Sequence, residues 1–231
     1  EARRQNIKRN HTATHLLQSA LRETLGTHIK QQGSLVEEGR LRFDFAHPSG
    51  IKPEQMQKIE SRIAEFIGKA DKVSVEVLPL EEAKKKGALA FFAEKYGNTV
   101  RVVSIGDYSR EFCGGTHLNS TSEIEAIKIV SEGSVAQGIR RVEALTGKQA
   151  VGEFLNKKAQ EEKLKEEAQR LRELEKQQQA TNFKKIKSNV DDMIKGVSQI
   201  KGTSVLIRCL ENVDIASLRK LSDILKHKIA S

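Results

Sequence analysis

The stretch KRNHTATHLLQSALRETLG, Lys8 to Gly26, sets Ala13, Leu16, Leu17, Ala20, Leu21 and Leu25 on one side of a helix. Asn10 suits an N-cap and Gly26 a C′ stop, so the spacing predicts a helix from Asn10 to Leu25. At about 100° per residue, His11 and His15 fall on the opposite side, beside Gln18 and Arg22. They are then not core histidines of this helix. They are two imidazoles stacked one turn apart.

Downstream, GRLRFDFAH alternates Leu41, Phe43 and Phe45 with Arg42 and Asp44, the pattern of a half-buried strand. A helix is expected from Pro53 to Ala70, with proline in its first turn. KVSVEVLPL alternates through Val73, Val75 and Val77. A short helix from Leu80 to Lys86 and a turn at Gly87 should follow, then strands in NTVRVVSIG and near Ile124 to Ser131. Interleaved strands and helices indicate α+β, with a mixed or antiparallel sheet and packed helices.

After Gly147 the composition changes to dense Lys, Glu and Gln without proline. Leu155, Leu164, Leu171 and Leu174 recur at near-helical intervals, as do Phe183, Ile186, Val190 and Met193. That predicts a long helix or a helical hairpin with a bend at Thr181-Asn182, either a spacer or dimerisation arm or a solvated helix. The last segment reads as one strand and one amphipathic helix, too little to close a core. The expected division is 1–150 for the main domain, 151–200 for a helical linker and 201–231 for the start of another domain. The chain opens Glu1-Ala2-Arg3-Arg4 and reads as a piece of a longer polypeptide.

The 231 residues are 37% hydrophobic but only 4% aromatic, so aliphatic side chains must do most of the packing. A net charge of +9 favours polyanionic partners, RNA or DNA first. Two distant cysteines, Cys113 and Cys209, make no disulfide framework and fit a reducing cytoplasm. No apolar run approaches the ~20 residues that span a bilayer, so no membrane partner is expected. Cys209 sits in an apolar run and reads as a buried structural thiol. His28, His47 and His227 show no partner pattern.

EFCGGTHLNST places Cys113 and His117 four apart around Gly114, Gly115 and Thr116. Paired glycines permit positive φ, which would turn both side chains to one point. With His11 and His15 the chain then offers three imidazoles and one thiolate, a set suited to tetrahedral Zn²⁺. Either pair alone is common. From the residues, a zinc site and four unconnected side chains both stand.

RNHTATHLLQSALRETLGTHIKQQGSLV, LRFDF, EFCGGTH and GIRRVEALTG together closely resemble the editing domain of bacterial-type alanyl-tRNA synthetases, across about residues 1 to 150. The stretch to about 200 resembles that family's linker, and the tail the opening of its C-terminal domain. The resemblance implies the alanyl/threonyl-tRNA editing-domain fold and hydrolysis of the ester joining tRNA(Ala) to serine or glycine. It implies that His11, His15, Cys113 and His117 hold Zn²⁺, that Gln31 is the active-site glutamine beside Gln32, and that Gly114, Gly115 and Thr116 form the ligand loop. It also gives the acceptor end of tRNA(Ala) as partner. Arg3, Arg4, Lys8, Arg9, Arg140 and Arg141 are the candidate phosphate contacts, the last two in the GIRR turn. Arg42 and Asp44 read as pocket lining or as an exposed salt pair. A homodimer through the helical or C-terminal segment is a further expectation. Four protein ligands ordinarily close a zinc shell, whereas catalytic zinc keeps a position open. The ion is therefore either a substrate-positioning centre or structural. A non-catalytic, zinc-stabilised module for tRNA binding and dimerisation is the competing reading.

Overall fold

The computed structural model describes residues 1–90, 97–211 and 213–230. The chain divides into two units, Glu1–Lys157 and Lys158–Ser231.

The first unit is built around α1 (Ala2–Leu25), which starts eight residues before the expected cap. Asn10 does not cap it. The side chain is 1% exposed inside the helix, donating to the Glu37 carbonyl at 2.8 Å and accepting from Thr146 Oγ1 at 2.6 Å. A cap-type residue is thus used as a polar tie from the helix to the turn after Val36 and to Thr146. Every residue from Thr12 to Leu21 is buried, so this segment has no solvent face. Gly26, at φ 119°, ends the helix as expected.

Four antiparallel strands form the main sheet in the order β1 (Gln31–Val36), β2 (Leu41–Ala46), β7 (Ile139–Thr146), β6 (Ile127–Ala136). Leu41, Phe43 and Phe45 point inward and are fully buried against Leu16, Leu17 and Leu21 of α1 and Ile59, Ile63 and Phe66 of α2 (Pro53–Gly68). A second antiparallel sheet joins β3 (Val73–Pro79), β4 (Thr99–Ile105) and β5 (Ser109–Phe112). Val103 and Ile105 enter the same core, whereas Val75 and Val77 on edge strand β3 are exposed. The helix α3 (Leu80–Lys85) and the turn at Gly87, φ 76°, fall where expected.

Several expectations are corrected. Ile124 belongs to a 3-10 turn, Thr121–Ile124, capped by Ser120, and β6 begins only at Ile127. Arg140 and Arg141 lie in β7, because Gly138 at φ 70° makes the turn before them. Arg42 and Asp44 are no exposed pair. Asp44 is 9% exposed, and Arg141 grips both its oxygens at 2.7 Å, with Arg42 farther off at 3.8 Å.

The helix α4 (Lys148–Ser188) begins in the first unit and runs on through Thr181-Asn182 without a break, Thr181 Oγ1 donating to the Gln177 carbonyl. Leu164, Leu171 and Leu174 are exposed along it. The tail holds one strand, as expected, β9 (Thr203–Val205), which pairs with β8 (Ser198–Ile200). β8 lies at the end of the expected linker, and the two strands are joined at Lys201 and Gly202, both at positive φ, as a tight hairpin requires. α5 (Val190–Ile194) and α6 (Ile215–Ala230) complete the second unit, with Asp214 accepting from the Ser217 amide at 2.9 Å. Cys209 is exposed, against the expectation of a buried thiol, because it lies beyond β9 outside any paired strand. Among the described residues no helix is long and apolar enough to cross a membrane.

Asn10→Ala should lower unfolding stability by about 1–3 kcal/mol by leaving the buried Thr146 hydroxyl without its acceptor, measured by urea denaturation of residues 1–231.

Candidate metal centre

α1 carries His11 and His15 to the second sheet, and the chain leaving β5 brings Cys113 and His117 to meet them. The four donor atoms all lie within 4.8 Å of one another, and among the described residues they are the one cluster of three or more such donors with that geometry. Cys113 Sγ is 3.4 Å from His11 Nε2 and 3.3 Å from His117 Nε2. The His11 and His117 ring centres are 4.4 Å apart, and those of His15 and His117 4.9 Å. This spacing suits the edges of a tetrahedron around a small ion.

The sequence reading put the histidines on the side of α1 away from its apolar stripe, which suggested a solvent-facing pair. His15 is in fact 5% exposed. Its Nδ1 faces the Glu111 carboxylate at 2.8 Å, and Ser109 Oγ donates to the other Glu111 oxygen at 3.1 Å. His15 Nε2 is buried without a hydrogen-bond partner and turned to the cluster, an orphan that a metal ion would satisfy. His117 Nδ1 lies 3.3 Å from Thr12 Oγ1, which accepts the Leu118 amide at 3.1 Å. Two of the imidazoles are thus oriented from behind, the arrangement that fixes ring nitrogens for a metal. Sequence reasoning missed Glu111 and Thr12, because nothing in their spacing marks them as partners of residues about a hundred positions away.

Cys113 and His117 are electrostatically ready to coordinate, whereas His15 must give up a proton when a metal binds. Burial disfavours a charged His15, but the Glu111 carboxylate and the Cys113 sulfur outweigh it and raise the imidazole to about 10. Burial would also raise the Cys113 thiol. The surrounding imidazoles, His11 and His117 foremost, hold it down to about 3, so it is a thiolate at neutral pH. Burial, with the nearby charge of His15, presses His117 down to about 4, leaving a neutral donor.

The ligand loop is shaped differently from the expectation. Neither Gly114 nor Gly115 has positive φ. Gly115 matters for lack of a side chain, since a Cβ there would stand 1.8 Å from His11 Cε1. Gly114 and Thr116 are exposed. Arg101 of β4 ties the loop down, donating through Nη1 to the carbonyls of Cys113 at 2.7 Å and Gly115 at 2.6 Å.

A cleft of about 450 Å³ opens beside the cluster, with His11, His15, Cys113, Gln31, Ser34 and Arg101 in its walls. Gln31 lines it and Gln32 does not; the Gln31 amide donates to Ser34 Oγ at 3.1 Å. The candidate phosphate contacts are scattered. Arg3 and Arg4 are exposed and Lys8 half-buried. Arg9 is spent on the Glu123 carbonyl, Asn6 and Glu125, Arg140 on Glu132, and Arg141 on Asp44. His28 and His47, read as unconnected, face each other with ring nitrogens 3.1 Å apart.

Gly115→Ala should displace His11 and abolish tight metal binding with the fold intact, read as metal content beside circular dichroism. Glu111→Gln should weaken metal affinity about 10–100-fold in a chelator competition.

Residues 100–143 match the family described as Threonyl and Alanyl tRNA synthetase second additional domain. The chain is 43% identical over its full length to an alanine–tRNA ligase of Halalkalibacterium halodurans, of which it spans 28%. It is 42% identical, over 99% of its length, to that of Acetivibrio thermocellus, and 40% identical, again over 99%, to that of Shewanella loihica, spanning 28% of each. By these matches the chain is similar over its full length to part of alanine–tRNA ligases, and over residues 100–143 to the second additional domain of threonyl and alanyl tRNA synthetases.

Proposed function

We propose that residues 1–150 form an editing domain that hydrolyses the ester linking tRNA(Ala) to a wrongly attached serine or glycine. The carrying observation is the convergence of His11, His15, Cys113 and His117 on the wall of a cleft that also holds Gln31. The relatives are named as alanine–tRNA ligases. Alanine differs from serine and glycine by one small group, so a synthetic site discriminates weakly by affinity and a hydrolytic second sieve is needed.

Three imidazoles and a thiolate suit Zn²⁺, which in such a site supplies Lewis-acid polarisation or holds a substrate amine or carbonyl. The protein's own groups do the positioning. Glu111 and Thr12 orient two of the donor rings. The Gln31 amide, steadied on Ser34, keeps its oxygen available for a water or for the substrate ammonium. The cleft volume matches that of small-ligand sites and admits an aminoacylated terminal nucleoside. The ribose hydroxyl next to the ester is the alternative activator of water.

In this reading residues 151–200 are the linker, and 201–231 open a C-terminal domain through which, or through the helix, two copies pair. The setting is cytoplasmic. Four protein donors filling a tetrahedral shell favour a second reading, a zinc-stabilised module that binds tRNA without cleaving it.

Incubation with Ser-tRNA(Ala) and Ala-tRNA(Ala) separates the two. The editing reading expects selective release of serine, reduced at least ~100-fold by Cys113→Ala. Tight binding of the seryl species with no release would replace it by the module.

A further inference from the structure

Arg101 is used only in part by the loop it secures. Nη1 makes both of its hydrogen bonds, to the carbonyls of Cys113 and Gly115. Nε and Nη2 have no partner among the described residues, and no carboxylate there lies within ion-pairing distance of them. Neither is one of the buried atoms left without a partner, so both reach solvent. Elsewhere in this unit Arg22 and Arg110 also bond only to uncharged oxygens, but other arginines are paired. Arg9, Arg40, Arg62, Arg140 and Arg141 each sit on a carboxylate. Among the described residues Arg101 meets no carboxylate, and it stands in the cleft wall beside the metal donors and Gln31.

Its place on β4 makes that charge rigid. Arg101 shares a strand face with Val103, which is fully buried in the main core. The Cys113 amide returns a hydrogen bond to the Arg101 carbonyl at 3.0 Å. The guanidinium is therefore clamped by its own backbone and by one of its nitrogens, with the rest of its fork presented to the cleft. A preorganised fork of this kind recognises phosphate oxygens, often with two parallel bonds.

We propose that Arg101 is the phosphate-binding residue of the cleft, its Nε and Nη2 holding the phosphodiester that precedes the terminal nucleoside of the aminoacylated RNA. The proposal rests on the editing reading and extends it. Once an aminoacyl ester lies at the metal donors, the nearest phosphate is only one ribose away. One residue then couples two events, since the group that fixes the position of Cys113 also senses that an RNA end, and not a free ester, has entered.

The test uses two stable probes, adenosine carrying serine as a 3′-amide and the same compound with a 5′-phosphate. Their dissociation constants are measured by titration calorimetry for the zinc-loaded wild-type chain, Arg101→Gln and Arg101→Lys, alongside zinc content and circular dichroism. The wild type should bind the phosphorylated probe about 10–100-fold more tightly, the range of a charge-assisted hydrogen bond. Arg101→Gln should erase that preference while still binding the unphosphorylated probe, and Arg101→Lys, which keeps the charge but loses the fork, should retain part of it. A purely structural Arg101 would weaken both probes alike, and that result overturns the proposal. So does a wild-type chain that deacylates Ser-tRNA(Ala) but binds the two probes equally, which leaves the editing reading standing. A wild type that binds neither probe and deacylates nothing removes both.

Discussion

The buried contact between His15 and Glu111 is the constraint on which the site is built. It joins the central helix to the second sheet, and each group makes the other tolerable in a place with almost no water. Without the carboxylate, the His15 ring would have no fixed orientation and its orphaned nitrogen no reason to face the cluster. Without the helix, Glu111 would be a buried charge with only the Ser109 hydroxyl to answer it. The pair lies at the boundary between core and cleft, so the stability of the fold and the geometry of the donors share one interaction.

Helix α1 can serve both because it is buried around its circumference. One side meets Phe43 and Phe45 of the main sheet; the other meets β5 and the Cys113–His117 loop. The loop reaches the helix closely enough only because Gly115 has no Cβ, and it stays there because Arg101 takes up two of its carbonyls. A metal centre assembled from a helix and a loop is thereby held by backbone contacts as well as by its donors. Preorganisation of that sort keeps the donors near their bound positions before any ion arrives.

Much of the main domain was legible in the sequence. The helix to Leu25, the inward triplet Leu41, Phe43 and Phe45, and the helix opened by Pro53 follow from periodicities that each element must satisfy to bury one face. The four donors could also be nominated, because few residue types bind soft metals and the two pairs share a spacing. The errors have a common source. Asn10, Asp44 and His15 are polar residues that the local pattern leaves outside the core. Each is buried because a partner distant in sequence satisfies it: Thr146 for Asn10, Arg141 for Asp44, and Glu111 for His15.

The sequence by itself determined which side chains could form a core and which four could bind a metal, since those properties belong to residue type and local spacing. Only the tertiary structure decided that the two donor pairs meet, that Gln31 and not Gln32 faces their cleft, and that Arg101 stands in its wall. Those facts depend on strand order and register, which are set by the summed packing of the whole domain and leave no mark in any short stretch of chain.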